Sequence, residues 1–165
     1  MTMVKTFDEL AVEGLRDIYD AEHQITEALP KMEKAATSPQ LKQAFQTHLR
    51  QTEGQIKRLD QVFQLLGQKA ERKTCLATRG LIAEANEHIK ETETGPLLDA
   101  VLIDAAQKVE HYEIASYGTA RTFALQMGNS QVANLLDETL QEEGDTDKLL
   151  SRIAETNVNQ KAAQQ

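Results

Sequence analysis

Mostly apolar side chains recur at spacings that are mainly three or four residues over four long stretches of this chain, as a buried helical stripe requires. The first stretch runs through Phe7, Ala11, Leu15, Ile18, Ile25, Leu29, Met32 and Ala36. The second runs through Phe45, Leu49, Thr52, Ile56, Leu59, Phe63 and Leu66. A third carries Leu98, Leu102, Ala105, Val109, Tyr112, Ser116, Thr119 and Phe123, and the fourth Val132, Leu136, Leu140, Leu150 and Ile153. Only 3 Pro and 8 Gly interrupt 165 residues, and β-branched or aromatic runs that would favour strands are missing. The pattern therefore predicts an all-α chain.

Boundary signals agree with the stripes. Thr6-Phe7-Asp8-Glu9 has the form of a capping box, opening a helix that extends to about Ala36 with an interruption at Pro30. Ser38-Pro39 starts a second helix, which Gly67 stops. Thr94-Gly95-Pro96 starts the third, and Gly128-Asn129-Ser130 ends it and caps the fourth. Between them, Gln68 to Gly95 lacks a clean stripe and reads as a crossover with one short helix over Thr74–Glu91, bent or broken near Gly80. Tight turns make the first and last pairs antiparallel. The long connection between the second and third helices is the single-crossover topology of a ferritin-like, antiparallel four-helix bundle. We expect one domain over residues 1–155 and a polar, disordered tail over 156–165.

Charge and composition narrow the function. The net charge of −8 argues against non-specific nucleic-acid binding, which needs a basic surface, and suits attraction of cations. Cys75 is the single cysteine, so an intrachain disulfide framework is ruled out. Met1 to Leu10 lack a signal-peptide core, and no segment reaches the roughly 18 apolar residues of a membrane span. The expectation is a cytoplasmic protein that engages neither membrane nor nucleic acid.

Glutamates interrupt the stripes at related places. Glu22 fills the gap between Ile18 and Ile25, and Glu143 the gap between Leu140 and Leu150. Ala21-Glu22-His23 matches Val109-Glu110-His111, and Thr52-Glu53-Gly54 matches Glu142-Glu143-Gly144, at offsets of 88 and 90 residues. Each helical hairpin thus presents two glutamates 31 or 33 residues apart, a spacing that can set them at one height. Packing two such hairpins would gather four carboxylates at the bundle centre. Buried acids repel one another unless protonated, hydrogen-bonded or neutralised by a cation, and hard oxygen ligands suit iron or manganese. Glu113, beside the third stripe, competes with Glu110, and both can contribute. Asp147 stands four residues after Glu143, a repulsive spacing that a cation would relieve.

Blander readings stand beside these. Glu53 can pair with Lys57 on a helix surface, and Glu22 can be a hydrogen-bonded buried acid. His23 and His111 neighbour candidate ligands but point about 100° away, and His48 has poor spacing from Glu53. Tyr19, Tyr112 and Tyr117 fit core packing or carboxylate orientation.

Leu-Arg-Asp-Ile-Tyr-Asp-Ala-Glu-His (15–23), Leu-Pro-Lys-Met (29–32), Val-Glu-His-Tyr-Glu-Ile-Ala-Ser-Tyr-Gly (109–118) and Leu-Asp-Glu-Thr-Leu-Gln-Glu-Glu (136–143) occur in this order. Over Thr6 to Glu155 the chain resembles the YciE/YciF family of bacterial ferritin-like stress proteins. The resemblance implies a ferritin-like bundle, often a homodimer, with a di-metal site, and leaves the reaction open. The usual di-iron pattern has Glu on two helices and Glu-x-x-His on two. Here Ile56 and Thr146 stand where the histidines would be, and Glu113 and Asp147 are the candidate substitutes. The ligand set is then Glu22, Glu53, Glu110, Glu113, Glu143 and Asp147, holding two ions of iron or manganese. Three functions remain open: an oxidase or peroxide-handling protein of stress, a non-enzymatic dimeric bundle with a degenerate metal site, and an iron-storage subunit.

Overall fold

The computed structural model of the protein describes residues 3–165, so Met1 and Thr2 of the stretch read for a leader lie outside the described residues. The chain forms α1 (Phe7–Ala35), α2 (Pro39–Leu65), α3 (Leu76–Glu91), α4 (Pro96–Gln126) and α5 (Ser130–Ile153). A π-helical turn, Ala154–Val158, and a short α6, Asn159–Ala162, follow. No strand occurs among the described residues. The expected capping box closes around Thr6: its Oγ1 accepts the Glu9 N–H at 3.1 Å, and the Glu9 carboxylate accepts the Thr6 N–H at 3.3 Å. Gly67 takes φ +64°, which lets the Gln68 N–H donate to the Phe63 carbonyl at 2.9 Å and end α2.

Hairpins α1/α2 and α4/α5 pack together, α1 against α4 and α2 against α5, while α3 crosses over α1 and α4. Two buried acids pin the connections. Asp99, on the first turn of α4, accepts the backbone N–H groups of Thr37 and Ser38 at 2.7 and 2.9 Å and the Thr37 hydroxyl at 2.6 Å, fixing the α1–α2 turn. Asp20 accepts the Cys75 N–H at 2.8 Å, Arg72 Nε at 2.8 Å and Gln24 Nε2 at 2.6 Å, fixing the crossover. Burial opposes ionisation of Asp20, but these donors outweigh it and hold its carboxyl below its ordinary range.

Four expectations are corrected. α1 runs on through Pro30, which is exposed. α3 runs unbroken through Gly80, which is exposed and takes no left-handed φ. The residues after Thr156 are not a disordered tail. The wider π turn brings Ala154 and Val158 into the core, with Val158 only 2% exposed. The stripes also shift. On α2 the buried face is Phe45, His48, Thr52, Gln55 and Leu59, and on α4 it is Ala106, Glu110, Glu113, Tyr117, Ala120 and Ala124. A purely apolar pattern favours Leu49 and Ile56, or Val109 and Tyr112, which are only half-buried.

The shift has a structural consequence. The apolar core is divided in two. One part gathers Ile25, Leu29, Phe45, Leu102 and Leu150, and the other Ile18, Leu59, Phe63, Tyr117 and Leu136. The polar residues of the buried faces lie between these parts in sequence on every long helix, forming a middle layer.

Candidate metal centre

Each long helix contributes to that layer from a core-facing position: Glu22 from α1, His48, Thr52 and Gln55 from α2, Glu110 and Glu113 from α4, and Thr139, Glu143 and Thr146 from α5. Glu22 and Glu143 are 0% exposed, Glu110 and Glu113 1%, and His48 4%. Isolated carboxylates at such depth would be destabilised by several kcal/mol or more. One ligand atom from each of His48, Glu110, Glu113 and Glu143 lies within 4.8 Å of the others. Glu22 joins from α1, close enough for its charge to act on Glu113 and Glu110.

The hydrogen bonding of the layer is incomplete. Tyr117 donates its hydroxyl to Glu22, and Gln55 Nε2 donates to Glu143. His48 Nε2 lies 3.1 Å from Glu110 Oε1, but the alignment is not that of a hydrogen bond. Glu22 Oε2, both ring nitrogens of His48, Gln55 Oε1, Glu110 Oε2, both oxygens of Glu113 and Glu143 Oε2 are buried without a hydrogen-bond partner. Nearly all buried polar groups in folded proteins are satisfied, so such a concentration of lone pairs in one layer fits a cation.

Burial and mutual repulsion shift these acids towards the protonated form. Desolvation, then the charge of Glu143, pushes Glu22 from 4.5 up to about 8 against the lowering effect of Tyr117. Glu110 is pushed up to about 7 by desolvation, with Glu22 and Asp147 adding to the rise and Glu143 opposing it. Desolvation raises Glu113 and Glu143 well above the ordinary range, and the neighbouring carboxylates add to it.

Of the six residues proposed from sequence, Glu22, Glu110, Glu113 and Glu143 meet in this layer. Glu53 does not. It is exposed, one step round the helix from the buried Thr52. Asp147 is also outside the cluster, 21% exposed, with Oδ1 accepting from Gln107 Nε2 at 2.9 Å and facing His111 Nε2 at 3.2 Å. His48 and Gln55 were missed. The internal repeat held the signal: the 88-residue offset that carries Glu22 onto Glu110 carries Gln55, not Glu53, onto Glu143.

A four-helix bundle with one long crossover and a buried carboxylate layer defines a ferritin-like protein. Comparison with known proteins agrees. Residues 6–163 match the family model described as a domain of unknown function, DUF892. Protein YciF of Escherichia coli K12 is 51% identical over 160 residues, 96% of each chain. The crystal structure of the E. coli stress protein YciF superposes with a TM-score of 0.91 at 50% identity, over 94% of this chain and 99% of that one. A ferritin-like, diiron-carboxylate protein from Bacillus anthracis shares the fold, with a TM-score of 0.70 at 14% identity over 91% of this chain and 99% of that one. The chain belongs to the DUF892 family, which includes YciF. No helix among the described residues is long and apolar enough to cross a membrane.

Proposed function

We propose that the protein is a non-haem di-metal protein whose buried carboxylates would hold iron or manganese, and that it handles oxidants under stress. The observation that carries this reading is the set of buried, unpartnered lone pairs on Glu22, His48, Glu110, Glu113 and Glu143. Four carboxylates and two divalent cations balance in charge, and the one imidazole supplies a nitrogen donor. Such a metal pair would supply one-electron exchange with an oxidant at a site shielded from water.

The chain's own residues would set the terms. Tyr117 orients Glu22 and holds one oxygen, leaving Oε2 for an ion. Gln55 does the same for Glu143 Oε1. The apolar cores on either side of the layer disfavour charge there, so cation binding would be coupled to release of protons from the acids. The E. coli relative is a stress protein, and that role supports the setting proposed for this chain.

A second reading is a non-enzymatic bundle with a degenerate site. It draws on α2, where Thr52 and Gln55 occupy core positions and no carboxylate enters the layer. Elemental analysis decides between the two, using untagged protein loaded with Fe(II) or Mn(II) beside a Glu22→Ala/Glu143→Ala variant. The first reading expects two metal ions per chain in the parent and a loss in the folded variant. Sub-stoichiometric metal that the variant retains would overturn it.

A further inference from the structure

α3 covers α1 and α4 with little of its own surface, and of its residues only Thr78 and Ala85 are buried. Beneath it lies a pocket walled by apolar side chains, among them Ile25 and Met32 of α1, Ile82 and Ala85 of α3, and Ala106 of α4. Lys31, exposed, and Asn86, half-buried, are polar members of its lining. The two others are His48 and Glu110, both buried in the carboxylate layer and both carrying polar atoms without partners. The pocket therefore joins the underside of α3 to the layer.

We propose that this pocket is the entry path and resting site of a small, uncharged, weakly hydrated molecule of the size and polarity of dioxygen. Size limits the occupant. The free space is about 30 Å³, whereas a cavity that accepts benzene is about 150 Å³ and one water needs about 10–15 Å³. An aromatic ring or acyl chain does not fit, and a diatomic molecule does. Polarity limits it further. A hydrated cation or anion would lose its water shell along the stretch walled by Ile25, Ile82 and Ala106, where no polar group replaces it. Hydrogen peroxide would forfeit its hydrogen bonds along the same walls. Dioxygen has neither a charge nor a hydrogen-bonding shell to lose. This inference rests on the di-metal reading for its destination, and the walls themselves stand independently of it.

Xenon-pressurised crystals of the metal-free protein test the pocket without any metal. Xenon should occupy the space between Ile82 and Ala106 and be lost in Ala85→Leu, and a parent crystal without xenon there overturns the proposal. In metal-loaded protein, Ala85→Leu should bind as much metal as the parent and react with dioxygen at least tenfold more slowly, with peroxide reactivity unchanged. Equal dioxygen rates at equal metal content would overturn the route. Ile82→Trp narrows the pocket from another turn of α3 and serves if Ala85→Leu does not fold. A parent that takes up xenon but binds no metal would refute the di-metal reading and leave the pocket standing.

Discussion

Raising the pH of the metal-free protein from about 5 to about 8 should destabilise it, opposite to the trend for a protein held together by paired carboxylates. The sign follows from the carboxylate layer. Glu110 rises from 4.5 to about 7 and Glu22 from 4.5 to about 8 on folding. An acid whose folded value is raised contributes stability that is fully present below its unfolded value, and loses it as pH climbs to the folded one. One pKa unit is about 1.4 kcal/mol, so Glu110 alone corresponds to a loss on the order of 3 kcal/mol across that window. Glu22, Glu113 and Glu143 share the same field, so their losses do not simply add. For a domain of this size about 3 kcal/mol lowers the melting temperature by roughly 6–12 °C. Thermal melts followed by circular dichroism, in chelator between about pH 5 and pH 8, measure this directly. Saturating Mn(II) should reverse the slope, since the ion binds the deprotonated ligands, and ligand at a thousandfold excess over Kd adds about 4 kcal/mol. The double variant Glu22→Gln/Glu110→Gln, which removes the two acids from which the slope was worked, should flatten the chelator profile. A parent melting temperature that is flat or rising over this range in chelator would refute the reasoning.

Three further perturbations separate the layer from its surroundings. Glu53→Ala should leave metal content unchanged and stability within about 0.5 kcal/mol, whereas Gln55→Glu, which adds a carboxylate beside Glu143, should lower metal-free stability and tighten Mn(II) binding in a calorimetric titration. Asp99→Ala should cost about 3 kcal/mol or more, because two backbone N–H groups and the Thr37 hydroxyl lose a buried charged acceptor, and urea unfolding would register it as a lower midpoint at constant slope. Val158→Ala should cost about 1–3 kcal/mol for a side chain only 2% exposed, and a change near zero would mean that the terminal π turn does not close the core in solution.

The four long helices were legible because their evidence is local. Capping at Thr6, Ser38 and Asn129 and the stop at Gly67 are short-range events that three or four residues specify. The terminal segment was illegible for the opposite reason. Thr156 to Gln165 is polar enough to read as solvated, and only the π turn, which re-aims Val158, gives it a buried contact. Pro30 and Gly80 misled because tertiary packing overrides their local penalties, about 3 and about 1 kcal/mol relative to Ala in a helix interior.

The site was half legible because its logic conflicts with hydrophobic patterning. A core-facing position is ordinarily recognised by its apolarity, so a polar residue there looks like a gap. Glu22 and Glu143 fell in visible gaps between flanking apolar residues. His48 and Gln55 did not, because Leu49 and Ile56 stand one residue away and complete a false stripe. The same displacement put Val109 and Tyr112 where Glu110 and Glu113 belong. What distinguishes the true faces is a polar band at matching height on all four helices, with apolar residues above and below: Glu22 on α1, His48 to Gln55 on α2, Glu110 and Glu113 on α4, Thr139 to Thr146 on α5. A band on one helix is a packing defect. The same band on four helices of a single bundle places its polar atoms against one another, and their unmatched lone pairs then require protons or cations. The stability sacrificed in that layer is therefore the strongest argument that the layer has a ligand to hold.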